Sequence, residues 1–285
     1  MLRLKGKTIV IAAGYGDIGR ATCLRFCEQG ATVIMTGRKA VAEGRAIAAA
    51  TQKEAHQRQV QSLRDLGVAT PSPVGCIEYR VCDSASRASI DAMFGEVLAR
   101  HPRIDVVIGN AALVYNEPFL DLDAKHWQET LDLNLTGQFH VGQAAGRIMV
   151  KQEAIVAPGC ERGIRGKILF NGSWVGEMPW AEGCSYAVAK AGLRVMVKAM
   201  ANELAERGVR VNVMAPGIVM AGLSKICYET DPKFGPRTQS VIPLREFGTV
   251  EQCADAFLFL ASGESDYITG TTLLVDGGAS IPRRD

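Results

Sequence analysis

Short apolar, β-branched runs recur along this chain, and longer stretches with helical spacing separate them. The runs fall at 8–13, 32–35, 76–80, 106–109, 167–171, 209–214 and 272–275, with helical patterns at 86–100, 185–207 and 250–262. Several runs are apolar almost throughout, as parallel strands must be when helices cover both faces. The alternation predicts an α/β fold: a single-domain, Rossmann-type doubly wound parallel sheet of about seven strands with helices on both faces. No internal repeat or low-complexity linker divides the 285 residues. Two connections are long, 38–75 and 151–166. The first reads as a helix with a tail that ends in the turn-rich A-T-P-S-P-V-G.

The first run breaks into glycines. I-V-I-A-A-G-Y-G-D-I-G-R-A-T-C, from Ile9 to Cys23, holds a literal G-x-G-x-x-G at Gly14, Gly16 and Gly19. Between a strand and a helix, such a turn lets the backbone approach a pyrophosphate, with Asp17 and Ile18 inside it. Free N–H groups and the helix dipole favour the anion there. A tight β–α turn without a ligand is the plainer alternative. The second run ends V-I-M-T-G-R-K. An NAD-preferring fold usually places Asp or Glu here to bond the ribose hydroxyls. This chain has Gly37, followed by Arg38 and Lys39, which suits the 2′-phosphate of NADP. A solvated basic corner is the alternative reading.

The sharpest signal is S-W-V-G-E-M-P-W-A-E-G-C-S-Y-A-V-A-K. Tyr186 and Lys190 are four apart and share a helix face, Ser173 lies thirteen residues before Tyr186 at a strand end, and L-D-L-N-L-T-G offers Asn134 upstream. With the glycine turn, these residues resemble the classical short-chain dehydrogenase/reductase family from about Lys5 to Gly278. A free tyrosine, with a pKa near 10, is a poor acid–base at neutral pH, and a neighbouring ammonium lowers that value. The resemblance implies that Tyr186 exchanges the proton with a carbonyl or alcohol while Lys190 lowers its pKa and holds the nicotinamide ribose. Ser173 would orient the substrate oxygen, and Asn134 would keep a relay water behind Lys190. By the same resemblance Asp83 in R-V-C-D bonds the adenine, unless it caps a helix. Asn110 and Ala111 in G-N-A-A flank the adenosine, Pro216 and Gly217 in A-P-G flank the nicotinamide, and V-D-G-G (275–278) closes the last strand.

The chain departs from the family pattern in four places. Ala13 and Asp17 stand where glycines are usual, and Asp17 is expected to cap the following helix and point away from the phosphates. Ala221 replaces a threonine that bonds the carboxamide, a role left to a backbone amide such as that of Val219. Tyr15, rather than Arg or Lys, sits inside the turn.

Three functions compete: an NADP(H)-dependent carbonyl reductase, an NAD-dependent alcohol dehydrogenase, and a dinucleotide-sensing regulatory protein that has no need of the Ser–Tyr–Lys–Asn set. An enoyl reductase is disfavoured because that branch spaces Tyr and Lys more widely. Trp174, Met178, Trp180, Met220, Tyr228 and Phe234 lie in segments that build the family's pocket, including 217–247. They suggest a partly apolar or cyclic ketone, with Trp174 and Trp180 as walls. Other partners are constrained by composition. A net charge of +2, with no Lys/Arg cluster beyond Arg283 and Arg284, argues against nucleic acid. The eight cysteines form no C-x-x-C pair and the four histidines fall at no metal-ligand spacing, so no metal is expected. The basic opening lacks the apolar stretch of a signal peptide, and no run approaches the ~18 residues of a membrane span. A cytoplasmic chain is the expectation. By family resemblance it forms a homotetramer or homodimer, with Val195, Ala199 and Met200 on an outer helix face.

Overall fold

A computed structural model describes residues 2–65, 75–157 and 160–281. In chain order the elements are β1 (Thr8–Ile11), α1 (Asp17–Glu28), β2 (Thr32–Gly37), α2 (Val41–Asp65), β3 (Cys76–Val81), α3 (Arg87–Leu98), β4 (Val106–Gly109), α4 (Ala124–Leu131), α5 (Gly137–Met149), β5 (Ile155–Ala157), β6 (Cys160–Ile164), β7 (Gly166–Asn171), α6 (Cys184–Leu204), β8 (Val209–Pro216), α7 (Gly222–Thr230), α8 (Phe234–Val241), α9 (Val250–Ala261) and β9 (Thr272–Val275).

The seven apolar runs form one parallel sheet in the order β3-β2-β1-β4-β7-β8-β9. Alternation along each strand divides the core. Ile9 and Ile11 join Phe26 of α1 and Phe257 of α9 on one face. Val10 joins Phe94 of α3, Val141 of α5 and Leu193 of α6 on the other. From β1 the chain winds outward through β2 and β3, then returns to start β4 on the opposite side. That reversal opens a crevice at the C-terminal ends of β1 and β4, where ligands of doubly wound sheets bind.

Strand ends differ from the sequence expectation for local reasons. β1 stops at Ile11 because Ala13 turns into the left-handed region, at φ +51°. β2 and β8 each run two residues further, to Gly37 and Pro216. The long second connection contains the antiparallel pair β5–β6. The first is mostly α2, and residues 66–74, with most of A-T-P-S-P-V-G, lie outside the described residues, as do Arg283 and Arg284. Cys27 and Cys253 pack as apolar core residues, and burial pushes both thiols up to about 12. Met200 turns inward against the core, whereas Val195 and Ala199 face outward. Among the described residues no helix is long and apolar enough to cross a membrane.

Candidate active site

The glycine turn sits at the mouth of the crevice. Gly16 is the N-cap of α1 and no side chain caps that end, so its amides stay available for an anion. At Gly19 a Cβ would stand 2.6 Å from the Ala13 carbonyl oxygen, so only glycine lets the helix pack this closely onto the turn. Asn110, just past β4, donates to Ala13 O (3.1 Å) and accepts from Asn171 Nδ2 (2.9 Å). The ends of β4 and β7 and the turn after β1 are thereby tied together.

A cleft of about 440 Å³ follows these strand ends. Gly16, Asp17, Ile18, Gly19, Arg38, Asp83, Asn110, Ala111, Ser173, Tyr186, Pro216, Gly217 and Val219 line it. Gly14 lies beneath it, bonded to Thr36 O at 2.8 Å. Asp83 does not cap α3: Ser86 does, and the Asp83 carboxylate accepts from Ala85 N. Asp17 departs from expectation as well. As the first residue of α1 it cannot be the cap, and its Oδ2 instead accepts from Gly222 N (2.8 Å) at the start of α7. Ala221 N–H turns back onto Val219 O.

At the end of β2, Arg38 is exposed and makes no hydrogen bond or ion pair among the described residues. Lys39 is committed elsewhere, paired with Glu43 and 5.5 Å above the Tyr15 ring. That ring covers Gly37 so closely that a Cβ there would overlap it.

Ser173 follows β7, and its Oγ accepts from Val175 N (3.4 Å); it lines the same two spaces as Tyr186. One turn along α6 from Tyr186, Lys190 Nζ lies 5.3 Å from the phenol ring centroid and donates to Asn171 O at 2.8 Å. The sequence predicted a phenol lowered by an ammonium, and the structure reverses this. Burial pushes Tyr186 up to about 12 and pulls Lys190 down to about 7. Both charged forms lose solvation there, and a lysine near 7 carries its ammonium charge only about half of the time at neutral pH.

Asn134 lies in a π-helical turn, Asp132–Thr136, between α4 and α5. Its Nδ2 donates to Leu113 O and Thr130 O, and its Oδ1 accepts from Leu113 N. One amide hydrogen therefore braces the loop after β4 and the other closes onto α4, and the side chain makes no bond toward Lys190.

A second cavity opens from Ser173 and Tyr186 toward α7 and α8. Trp174, Trp180, Ile218 and Phe234 line it, and among the described residues no Asp, Glu, Lys, Arg or His does. Met178, Met220 and Tyr228 do not reach it. Met178 and Tyr228 are exposed, Tyr228 lying edge-on to Phe247, and Met220 faces a polar hollow beside α1 and α9. Val114, Asn116, Cys227 and Thr238 line it without having been singled out from sequence. Val114 and Asn116 lie in the loop just past G-N-A-A, a position that could have flagged them, and Glu117 N–H fastens that loop to Glu182 O at 2.8 Å.

A family model described as Enoyl-(Acyl carrier protein) reductase matches residues 36–280. The 3-oxoacyl-[acyl-carrier-protein] reductase FabG of Thermotoga maritima is 32% identical over 280 residues, covering 98% of this chain and all of that protein. The 3beta-hydroxysteroid dehydrogenase 1 of Eggerthella lenta is 29% identical, covering 98% and 95%. Among solved structures, a gluconate 5-dehydrogenase from Burkholderia cenocepacia in complex with NADP and tartrate superposes with a TM-score of 0.79 at 27% identity, covering 99% and 98% of the two chains.

Proposed function

Because this chain belongs to the classical short-chain dehydrogenase/reductase family and is an oxidoreductase acting on CH–OH and C=O groups, we propose that it reduces a ketone with NADPH. The observation that carries this reading is the junction of two spaces. The cleft along the strand ends and the cavity under α7 and α8 both reach Ser173 and Tyr186. A dinucleotide in the first and a ketone in the second would meet beside one hydroxyl and one phenol.

The residues fit a dinucleotide. The uncapped start of α1 suits a diphosphate, and the unpaired Arg38 guanidinium at the rim suits a 2′-phosphate. The bound nicotinamide would supply the hydride. Ser173 Oγ would hold the ketone oxygen while Tyr186 gives it a proton. A phenol pushed up to about 12 keeps its proton at neutral pH, the form that donates to a ketone oxygen. The four-residue spacing of Tyr186 and Lys190 favours carbonyl over enoyl reduction. NAD-dependent alcohol oxidation is the second reading, since Asp83 and Asn110 would serve either dinucleotide.

The test is kcat/KM for NADPH and NADH on neutral cyclic ketones, in wild type and Arg38→Ala. NADPH is expected to be preferred, and Arg38→Ala to cost about ten- to a hundredfold with NADPH while leaving NADH nearly unchanged. A wild type that prefers NADH moves the reading to NAD, and no turnover with either contradicts it. The converse exchange, Gly37→Asp, collides with Tyr15 and is not a clean probe.

A further inference from the structure

Thr238, on α8, lines the cavity that ends at Ser173 and Tyr186. It is fully buried, and its Oγ1 has no hydrogen-bond partner. Helical threonines can return their hydroxyl to the carbonyl four residues earlier. Thr22, Thr51, Thr130 and Thr230 all do so, at 2.7 or 2.8 Å. Thr238 is the one α-helical threonine among the described residues that does not. A buried hydroxyl left unpaired destabilises the free protein, and a ligand group that pairs with it recovers that loss.

The rest of the wall defines what such a ligand is. Trp174, Val175, Trp180, Ile218 and Phe234 are apolar, and among the described residues no charged side chain lines the cavity. Arg237 sits 6.0 Å over the Trp180 ring but is not part of the lining. An anion entering here would leave water with no cation to receive it. Asn116 is exposed, and Ser224 lies where the cavity joins the strand-end cleft, so Thr238 is the fully buried polar side chain remote from the reacting pair.

Resting on the reading of Ser173 and Tyr186 as the reacting end, we propose that Thr238 hydrogen-bonds a second, uncharged polar group of the substrate. The enzyme thereby selects neutral, largely apolar ring ketones that carry a hydroxyl or carbonyl remote from the one reduced. A site that hydrogen-bonds a substrate group discriminates against the analogue lacking it, because its own polar group is then left unpaired.

The probes are trans-1-decalone and a set of its derivatives with one hydroxyl on the far ring. Trp174 and Trp180 line the cavity, so quenching of tryptophan fluorescence reports occupancy whether or not chemistry follows. The best hydroxylated decalone is expected to bind wild type roughly tenfold more tightly than trans-1-decalone. Thr238→Val, which keeps the shape and removes the hydroxyl, should bring that ratio to about one without weakening trans-1-decalone. The same variant should melt no lower than wild type. A ratio that survives in Thr238→Val, no gain from any far-ring hydroxyl, or a large loss of Tm in the variant would each overturn the proposal. Discrimination by binding without turnover would sustain it and count against the hydride-transfer reading alone.

Discussion

Lys190 is held against its own charge. It is 1% exposed, and burial takes its ammonium from the ordinary 10.5 down to about 7. Between those two values the unfolded chain holds a proton that the folded chain has lost. Stability therefore rises with pH across that window and is lowest below about 7, where the folded protein must keep a buried charge. Lys190→Met removes this dependence. Relative to wild type, the variant should gain on the order of a few kcal/mol on going from pH 10 to pH 6. Urea unfolding across that range measures it, and parallel curves for the two proteins would contradict the assignment. The constant loss of the bond to Asn171 O shifts the curves without changing their divergence. Ala13 shows a smaller tension: it holds the left-handed conformation that the family gives to glycine, at φ +51°. The turn keeps its shape because Asn110 grips the Ala13 carbonyl and Gly19 lets α1 close on it.

At the scale of elements, α6 has two working faces. Inward it presents Tyr186 and Lys190 to the site and Leu193 and Val197 to the core. Outward it presents Val188, 45% exposed, and Val195, 68% exposed, seven residues apart and so along one stripe. We propose that this stripe pairs with a second copy across a two-fold axis, as the family resemblance suggests. Light scattering at micromolar concentration should then find a dimer or tetramer, and Val195→Asp should shift it toward the monomer. A wild-type monomer would contradict the pairing. The order of the sheet was legible in the alternation of apolar runs, because each run is buried on both faces. The β5–β6 pair was not, since Ile155–Ala157 and Cys160–Ile164 are too short to carry a clear alternation. The bond from Asp17 to Gly222 was equally hidden, since it joins residues 205 apart that only the closed crevice brings together.

Across the whole molecule, the spacing of Ser173, Tyr186 and Lys190 announced a site, and the fold brings Ser173 and Tyr186 to one junction with buried Lys190 beside the phenol ring. Their protonation was beyond the sequence, because it depends on burial that only the folded packing creates. The unpaired hydroxyl of Thr238 depends on the same tertiary burial. Everything proposed for catalysis turns on Tyr186 giving its proton to a ketone held by Ser173. Tyr186→Phe tests it most directly, with kcat on a good ketone and the NADPH dissociation constant measured on one preparation. The expected result is a fall in kcat of ~10²–10⁴-fold with cofactor affinity nearly unchanged. A phenylalanine enzyme that keeps more than about a tenth of wild-type kcat would contradict it.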